Sequence, residues 1–357
     1  MRNLCRFGIA LLYVSMDAPM IAQVDHCADP PDVLTMAWPD TNPVWQFSWI
    51  WPCESSGTRG SGLEIRDVYY NGYLVMKRAH VPILNVQYLS GCGCFRDWMY
   101  EEQEFQADNV ISDGYAEPTV PPVTVCDVGG SVGDVGTFDG VAAEKLADRL
   151  ILTTQTRAGW YRYIMKWTFH LDGRIEPYMG FSAVNDSCIA FDHRHHAYWR
   201  FDFDIDGPAN DVVTEGPAPR PGGGRGGTRP PIVTLPTEAM RRANQPGIAW
   251  SVVDSGTHRG YRIVPGAEIA LPADTFSVGD VWLLKYKTPP LELDDSGQSG
   301  GACPIKFNNF LNGESLSADL VLWYRTGAFH SGGDLDDCHV VGPTLYPVGD
   351  WSIPGPH

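Results

Sequence analysis

With 357 residues, the chain can bury one large core or two smaller ones, while a net charge of −17 and a pI near 4.9 leave nothing basic enough to neutralise a phosphate backbone, which argues against a nucleic-acid partner. An acidic surface can draw in cationic small molecules such as amines, although solubility alone would account for the same charge. No segment of the sequence is apolar for long enough to suggest a membrane-spanning helix.

The chain begins Met1-Arg-Asn-Leu-Cys-Arg-Phe-Gly-Ile-Ala-Leu-Leu-Tyr-Val-Ser-Met16, with two arginines and a short apolar run. This reads as a weak secretory signal ending near Ala22, and it is the basis for expecting a secreted or extracellular protein. Residues 1–40 are accordingly assigned to a tail or signal segment and 41–357 to one domain. Leu63–Tyr70, then Asn71-Gly72, then Tyr73–Arg78 reads as a hairpin, because Asn-Gly supplies the positive φ angles of a two-residue turn. Nine cysteines include Cys92 and Cys94, too close together for a zinc ribbon, and a disulfide from one of them to Cys126 is expected. Val141–Leu150 resembles a short helix. A second hairpin runs from Tyr161–His170 through Leu171–Arg174 to Ile175–Phe181. Gly216–Pro231, dense in Gly, Pro and Arg, reads as a surface loop. Strand, turn and strand alternate with little helical periodicity, so the predicted fold is all-β, a twisted antiparallel β-sandwich with few short helices.

The most informative segment is Asp192–Gly207. On a strand, His193 and His195 share a face while Arg194 points away, so both imidazoles can reach one ion. Imidazole suits copper and zinc, whereas the alternating Asp202, Asp204 and Asp206 offer the hard oxygens preferred by calcium. The strand-like block Asp319–His330 ends in another histidine. If that strand lies beside the first, His330 completes a three-histidine site.

These residues resemble the catalytic domain of the copper amine oxidases, enzymes that use a quinone made from one of their own tyrosines. The resemblance covers residues 62–342 and rests on matches that occur in order: Gly62–Gly72, Lys77-Arg-Ala79, the strand around Tyr161 with Phe169-His-Leu-Asp-Gly173, His193-Arg-His195, and Trp323-Tyr-Arg-Thr-Gly327 before His330. It implies Cu2+ on His193, His195 and His330, and a peripheral calcium-type site on Asp202, Asp204 and Asp319 with the backbone oxygens of Phe203 and Leu320. It further implies topaquinone formed from Tyr161, a general base in Asp97 of Phe95-Arg-Asp97, and a supporting hydroxyl on Tyr88. The implied activity is oxidative deamination of a primary amine to an aldehyde with O2.

The chain departs from the family pattern around the tyrosine. Thr-x-x-Asn-Tyr followed by an acid is replaced by Arg157-Ala-Gly-Trp-Tyr-Arg162. Trp160 and Arg162, as strand neighbours, are expected to face away from Tyr161. Trp98-Met-Tyr-Glu-Glu102 replaces the glycine-rich sequence that follows the base. Dimeric relatives clasp their partner with long hairpin arms, and the interval from Tyr161 to His193 is too short for them, so a homodimer is implied only by the remainder of the resemblance. Two other readings stay open: a copper-binding β-sandwich without the quinone acting as a different copper oxidase, or as a non-enzymatic binding protein.

Overall fold

Asn71 and Gly72 take φ angles of 51° and 83° and join the strands Glu64–Tyr70 and Tyr73–Tyr88, so the first expected hairpin forms through the turn its sequence encodes. The computed structural model describes residues 33–56, 62–185, 188–209, 211–218, 231–242, 247–266, 279–288 and 307–352. The second hairpin also forms, with Tyr161–His170 paired to Ile175–Ala183. Of the expected Gly216–Pro231 loop, positions 219–230 lie outside the described residues, as does the expected signal segment. The strand Leu34–Trp38 falls within the segment assigned to a tail, and it pairs with Trp45–Ile50.

Two large sheets make the expected all-β sandwich. A nine-stranded sheet runs Leu34–Trp38, Trp45–Ile50, Glu64–Tyr70, Tyr73–Tyr88, His193–Phe203, Leu320–His330, Val281–Lys285 and Ala239–Arg241, with Cys94–Asp97 paired beside Tyr73–Tyr88. A thirteen-stranded sheet contains Val141–Lys145, Arg149–Ala158, Tyr161–His170 and Ile175–Ala183 as consecutive antiparallel neighbours. The period of two along each strand turns one set of side chains to the space between the sheets. From the first sheet these include Ala197, Trp199, Phe201 and Phe203, and from the second Tyr163, Met165, Trp167 and Phe169, all in one buried cluster. Trp167 meets Trp199 edge-on at 5.5 Å, a direct contact between the sheets.

Two expectations are corrected. Val141–Lys145 is a strand rather than the start of a helix, and Arg149 begins the next strand. The helix-favouring Ala-Ala-Glu-Lys composition is overridden by pairing with Arg149–Ala158 and by complete burial of Ala142 and Ala143. The α-helix found among the described residues is instead the single turn Val125–Val128, whose Thr124 and Asp127 form a capping box. Cys126 pairs with Cys338 and Cys92 with Cys188, so the bridge from Cys92 or Cys94 to Cys126 does not form. These bridges span 96 and 212 residues of sequence, a distance over which spacing carries no information about pairing. Among the described residues, no helix is long and apolar enough to cross a membrane.

Candidate metal centre and adjoining cavity

Antiparallel pairing brings alternate strand ends to one end of the sandwich, and the candidate residues gather there. His193, which opens its strand, is in register with Tyr88 at the end of one neighbour and with His330 at the end of the other. Two residues on, His195 pairs with Val86 and Ala328 and lies on the same face as His193. Tyr161, the first residue of its strand in the opposite sheet, meets them across the core. The structure brings His330 to His193 and His195: each of the three imidazoles offers a ring nitrogen, and these atoms lie within 4.8 Å of one another.

The hydrogen bonds define which nitrogens are bare. His193 Nδ1 lies 2.7 Å from the Phe191 carbonyl oxygen, and His330 Nε2 lies 2.7 Å from that of Asp334. A carbonyl only accepts, so each of these nitrogens carries the hydrogen, leaving lone pairs on His193 Nε2 and His330 Nδ1. Both lone pairs face the Tyr161 hydroxyl, at 2.5 and 2.9 Å. That hydroxyl has one hydrogen and can satisfy only one of them. His195 Nε2 is buried with no hydrogen-bond partner, while its Nδ1 is 3.5 Å from the Tyr163 hydroxyl. Burial pushes the His193 imidazole down to about 4 and His195 well below its ordinary range, so both are neutral at physiological pH. A buried site in which one hydroxyl hydrogen faces several imidazole nitrogens fits a cation better than it fits hydrogen bonding, and three imidazoles beside a phenol suit copper or zinc. Phe181 packs against the His195 ring with centroids 4.3 Å apart, and His339 lies edge-on to His330 at 4.8 Å while pairing with Asp337 at 2.9 Å. Sequence reasoning missed both supports, since neither carries a motif.

The phenol side of the centre is equally built. Burial holds the Tyr161 hydroxyl well above its usual range and keeps it protonated. Tyr88 stacks on His193 at 4.5 Å, and its hydroxyl accepts a 3.2 Å hydrogen bond from Trp160 Nε1. Asp97 accepts a 2.5 Å hydrogen bond from the Tyr163 hydroxyl. Burial pushes the Asp97 carboxyl up to about 6, against the Tyr163 hydrogen bond, which favours the charged form. A cavity of about 270 Å³ opens beside Tyr161 and Asp97. Arg162 turns away, as expected, and pairs with Asp134 at 2.6 Å. Trp160 does not. Ala158 pairs directly with Tyr161, so Gly159 and Trp160 form the two-residue turn between their strands, Gly159 at φ 58°, and the indole lines the cavity instead of facing away.

On the opposite face of the His193–Phe203 strand, towards its other end, Asp202, Asp204 and Asp319 bring carboxylate oxygens within 4.8 Å of one another. Phe203 and Leu320 are register partners beside them. Asp206, the third acid of the alternating run, instead accepts hydrogen bonds from Thr257 and Arg259. Burial, with Asp202 adding to it, raises the Asp204 carboxyl to about 6. Burial and the charges of Asp204, Asp254 and Asp319 raise Asp211 to about 8, and neither oxygen of Asp211 has a hydrogen-bond partner. Asp211 lies outside the alternating run and carried no sequence signal.

No protein-family profile matches the chain. Among solved structures it is similar to an amine oxidase of Aspergillus nidulans, with 18% identity and a TM-score of 0.60 over 97% of this chain and 55% of that one. It is also similar to the lysyl oxidase of Pichia pastoris, with 15% identity and a TM-score of 0.58 over 94% and 56% of the two chains. A copper-containing benzylamine oxidase from Hansenula polymorpha matches with 12% identity and a TM-score of 0.53 over 97% and 64%. At such identities the likeness is one of fold, and this chain spans between 55% and 64% of the length of those three proteins.

Proposed function

We propose that the chain is a copper-dependent oxidoreductase of primary amines, converting amine, dioxygen and water to aldehyde, ammonia and hydrogen peroxide. The observation that carries this reading is the Tyr161 hydroxyl set against the bare nitrogens of His193 and His330, with the Asp97 carboxyl on the adjoining cavity. His193, His195 and His330 would hold the metal, with His193 Nε2, His195 Nε2 and His330 Nδ1 as the nitrogens not turned to a backbone carbonyl or to Tyr163. Copper bound there would supply the oxygen chemistry for converting the Tyr161 phenol to a topaquinone, the electron sink that unmodified side chains lack.

The chain's own residues handle position and protons. Asp97 binds the substrate ammonium as a carboxylate and takes the α-proton as general base, a role for which a carboxyl ionising at about 6 is well placed near neutral pH. Tyr163 holds Asp97 in place, and Tyr88 fixes the ring of His193 by stacking. At the second cluster, Asp202, Asp204 and Asp319, with the backbone oxygens of Phe203 and Leu320, would hold a Ca2+ ion, whose charge would offset the crowding of these acids and of Asp211. The disulfides fit export to an oxidising compartment, in keeping with the weak signal segment. A homodimer remains part of the proposal through the resemblance alone.

A second reading keeps copper on the three histidines with Tyr161 unmodified, serving a different copper oxidation or a binding role. The observation favouring it is Trp160, whose indole bonds the Tyr88 hydroxyl directly beside Tyr161. Copper-loaded protein exposed to air separates the two. Visible absorption, a hydrazine adduct on the peptide containing Tyr161, and peroxide released on adding amine are expected. Unmodified Tyr161 after full copper loading would overturn the quinone reading.

A further inference from the structure

The turn that brings Trp160 into the cavity also completes a wall. Trp160 meets Phe95 edge-on, with ring centroids 5.5 Å apart and planes at 88°. Phe95 meets Tyr88 at 5.8 Å and 90°, and the indole N–H of Trp160 closes the set by donating to the Tyr88 hydroxyl. The three rings therefore brace one another around the cavity, with Val86 and Ala158 as further apolar lining. Among the described lining residues Asp97 carries the one carboxylate, and there is no cationic side chain. Arg96, next to Asp97 on the same strand, alternates to the other face of the sheet. The volume, about 270 Å³, lies at the small end for a ligand site and suits a molecule of about one ring.

We infer that Trp160, with Tyr88 and Phe95, forms an aromatic box that selects a primary monoamine bearing a single flat apolar group, and that Trp160 is its specificity-determining residue. This rests on the proposed function insofar as it takes the cavity to be the amine site. One ammonium finds one carboxylate, and the ring faces add cation–π attraction and edge-to-face contact. The second ammonium of a linear diamine would be desolvated against apolar walls with no anion to meet it. The carboxylate of an α-amino acid would face Asp97 with no cation to offset the repulsion. The hydrogen bond from Trp160 to Tyr88 holds the wall in place before ligand arrives, which reduces the ordering cost of binding.

The test is calorimetric titration of copper-free protein, in which Tyr161 has not been processed, with benzylamine, diaminobutane and phenylalanine at a pH above the Asp97 titration. Benzylamine should bind at least about tenfold more tightly than either of the others, the size of preference that one aromatic contact plus one unpaired charge supports. Trp160→Leu should remove most of that preference, and Phe95→Leu should reduce it in the same direction, with thermal melts confirming that both variants fold. Equal affinity for diaminobutane, an unchanged preference in folded Trp160→Leu, or no binding of any amine would overturn the inference. Selective benzylamine binding without peroxide production after copper loading would count against the oxidase reading alone. Peroxide production without selectivity would count against the box alone.

Discussion

Tyr163→Phe removes one hydroxyl group from the inner wall of the site and keeps the ring. The lost group is the hydroxyl that donates to Asp97 at 2.5 Å, where burial already holds the carboxyl at about 6. A hydrogen bond to a charged group contributes about 1.5 to 3 kcal/mol, and about 1.4 kcal/mol corresponds to one pH unit of ionisation. The variant should therefore ionise about one to two pH units higher. An ammonium is held by the carboxylate and not by the neutral acid, so amine affinity is full above the Asp97 titration and is lost as the pH falls through it. In the copper-free wild type, benzylamine binding should fall away around pH 6, and in Tyr163→Phe the midpoint should move up by about one to two pH units with near-equal affinity at the alkaline plateau. The fold responds in the opposite sense: a carboxyl raised above its ordinary range favours the native state while protonated, and that contribution is lost as the pH rises from the ordinary carboxylate range to about 6. A midpoint that stays put, or moves down, would show that Asp97 is not the group that meets the ammonium.

Two further substitutions address the metals. His195→Ala should abolish copper binding and any modification of Tyr161, whereas His196→Ala, which removes one of the partners of Arg325, at 2.7 Å on the other face of the same strand, should keep copper while losing about 1 to 3 kcal/mol of stability. Metal analysis and chemical denaturation read the two outcomes, and copper retained in His195→Ala would refute the ligand assignment. Asp204→Ala should weaken Ca2+ binding by at least about tenfold and leave copper content unchanged. Parallel loss of both metals would show that the two clusters are not separate sites.

Much of this architecture could be read from local order in the chain. Asn71-Gly72 encodes its own turn, the alternation in His193-Arg-His195 sets two imidazoles on one face wherever that strand packs, and the run from Asp202 to Asp204 places two acids on the other. Such features depend on backbone geometry over a few residues, which is why the all-β class and the pair His193 and His195 were legible. Register and packing over long distances decided the remainder. The pairing of His193 with His330 spans 137 residues of sequence and is set by the whole sheet, as are the bridge from Cys126 to Cys338 and the approach of Asp211 to the acidic cluster. Val141–Lys145 has a helix-former's composition and is a strand because a neighbour was there to pair with it. Trp160 shows the difference most plainly. Alternation along a strand turns it away from Tyr161, but a hairpin turn ends the alternation one residue early, and only the position of that turn against Tyr88 and Phe95 makes the indole a wall of the cavity.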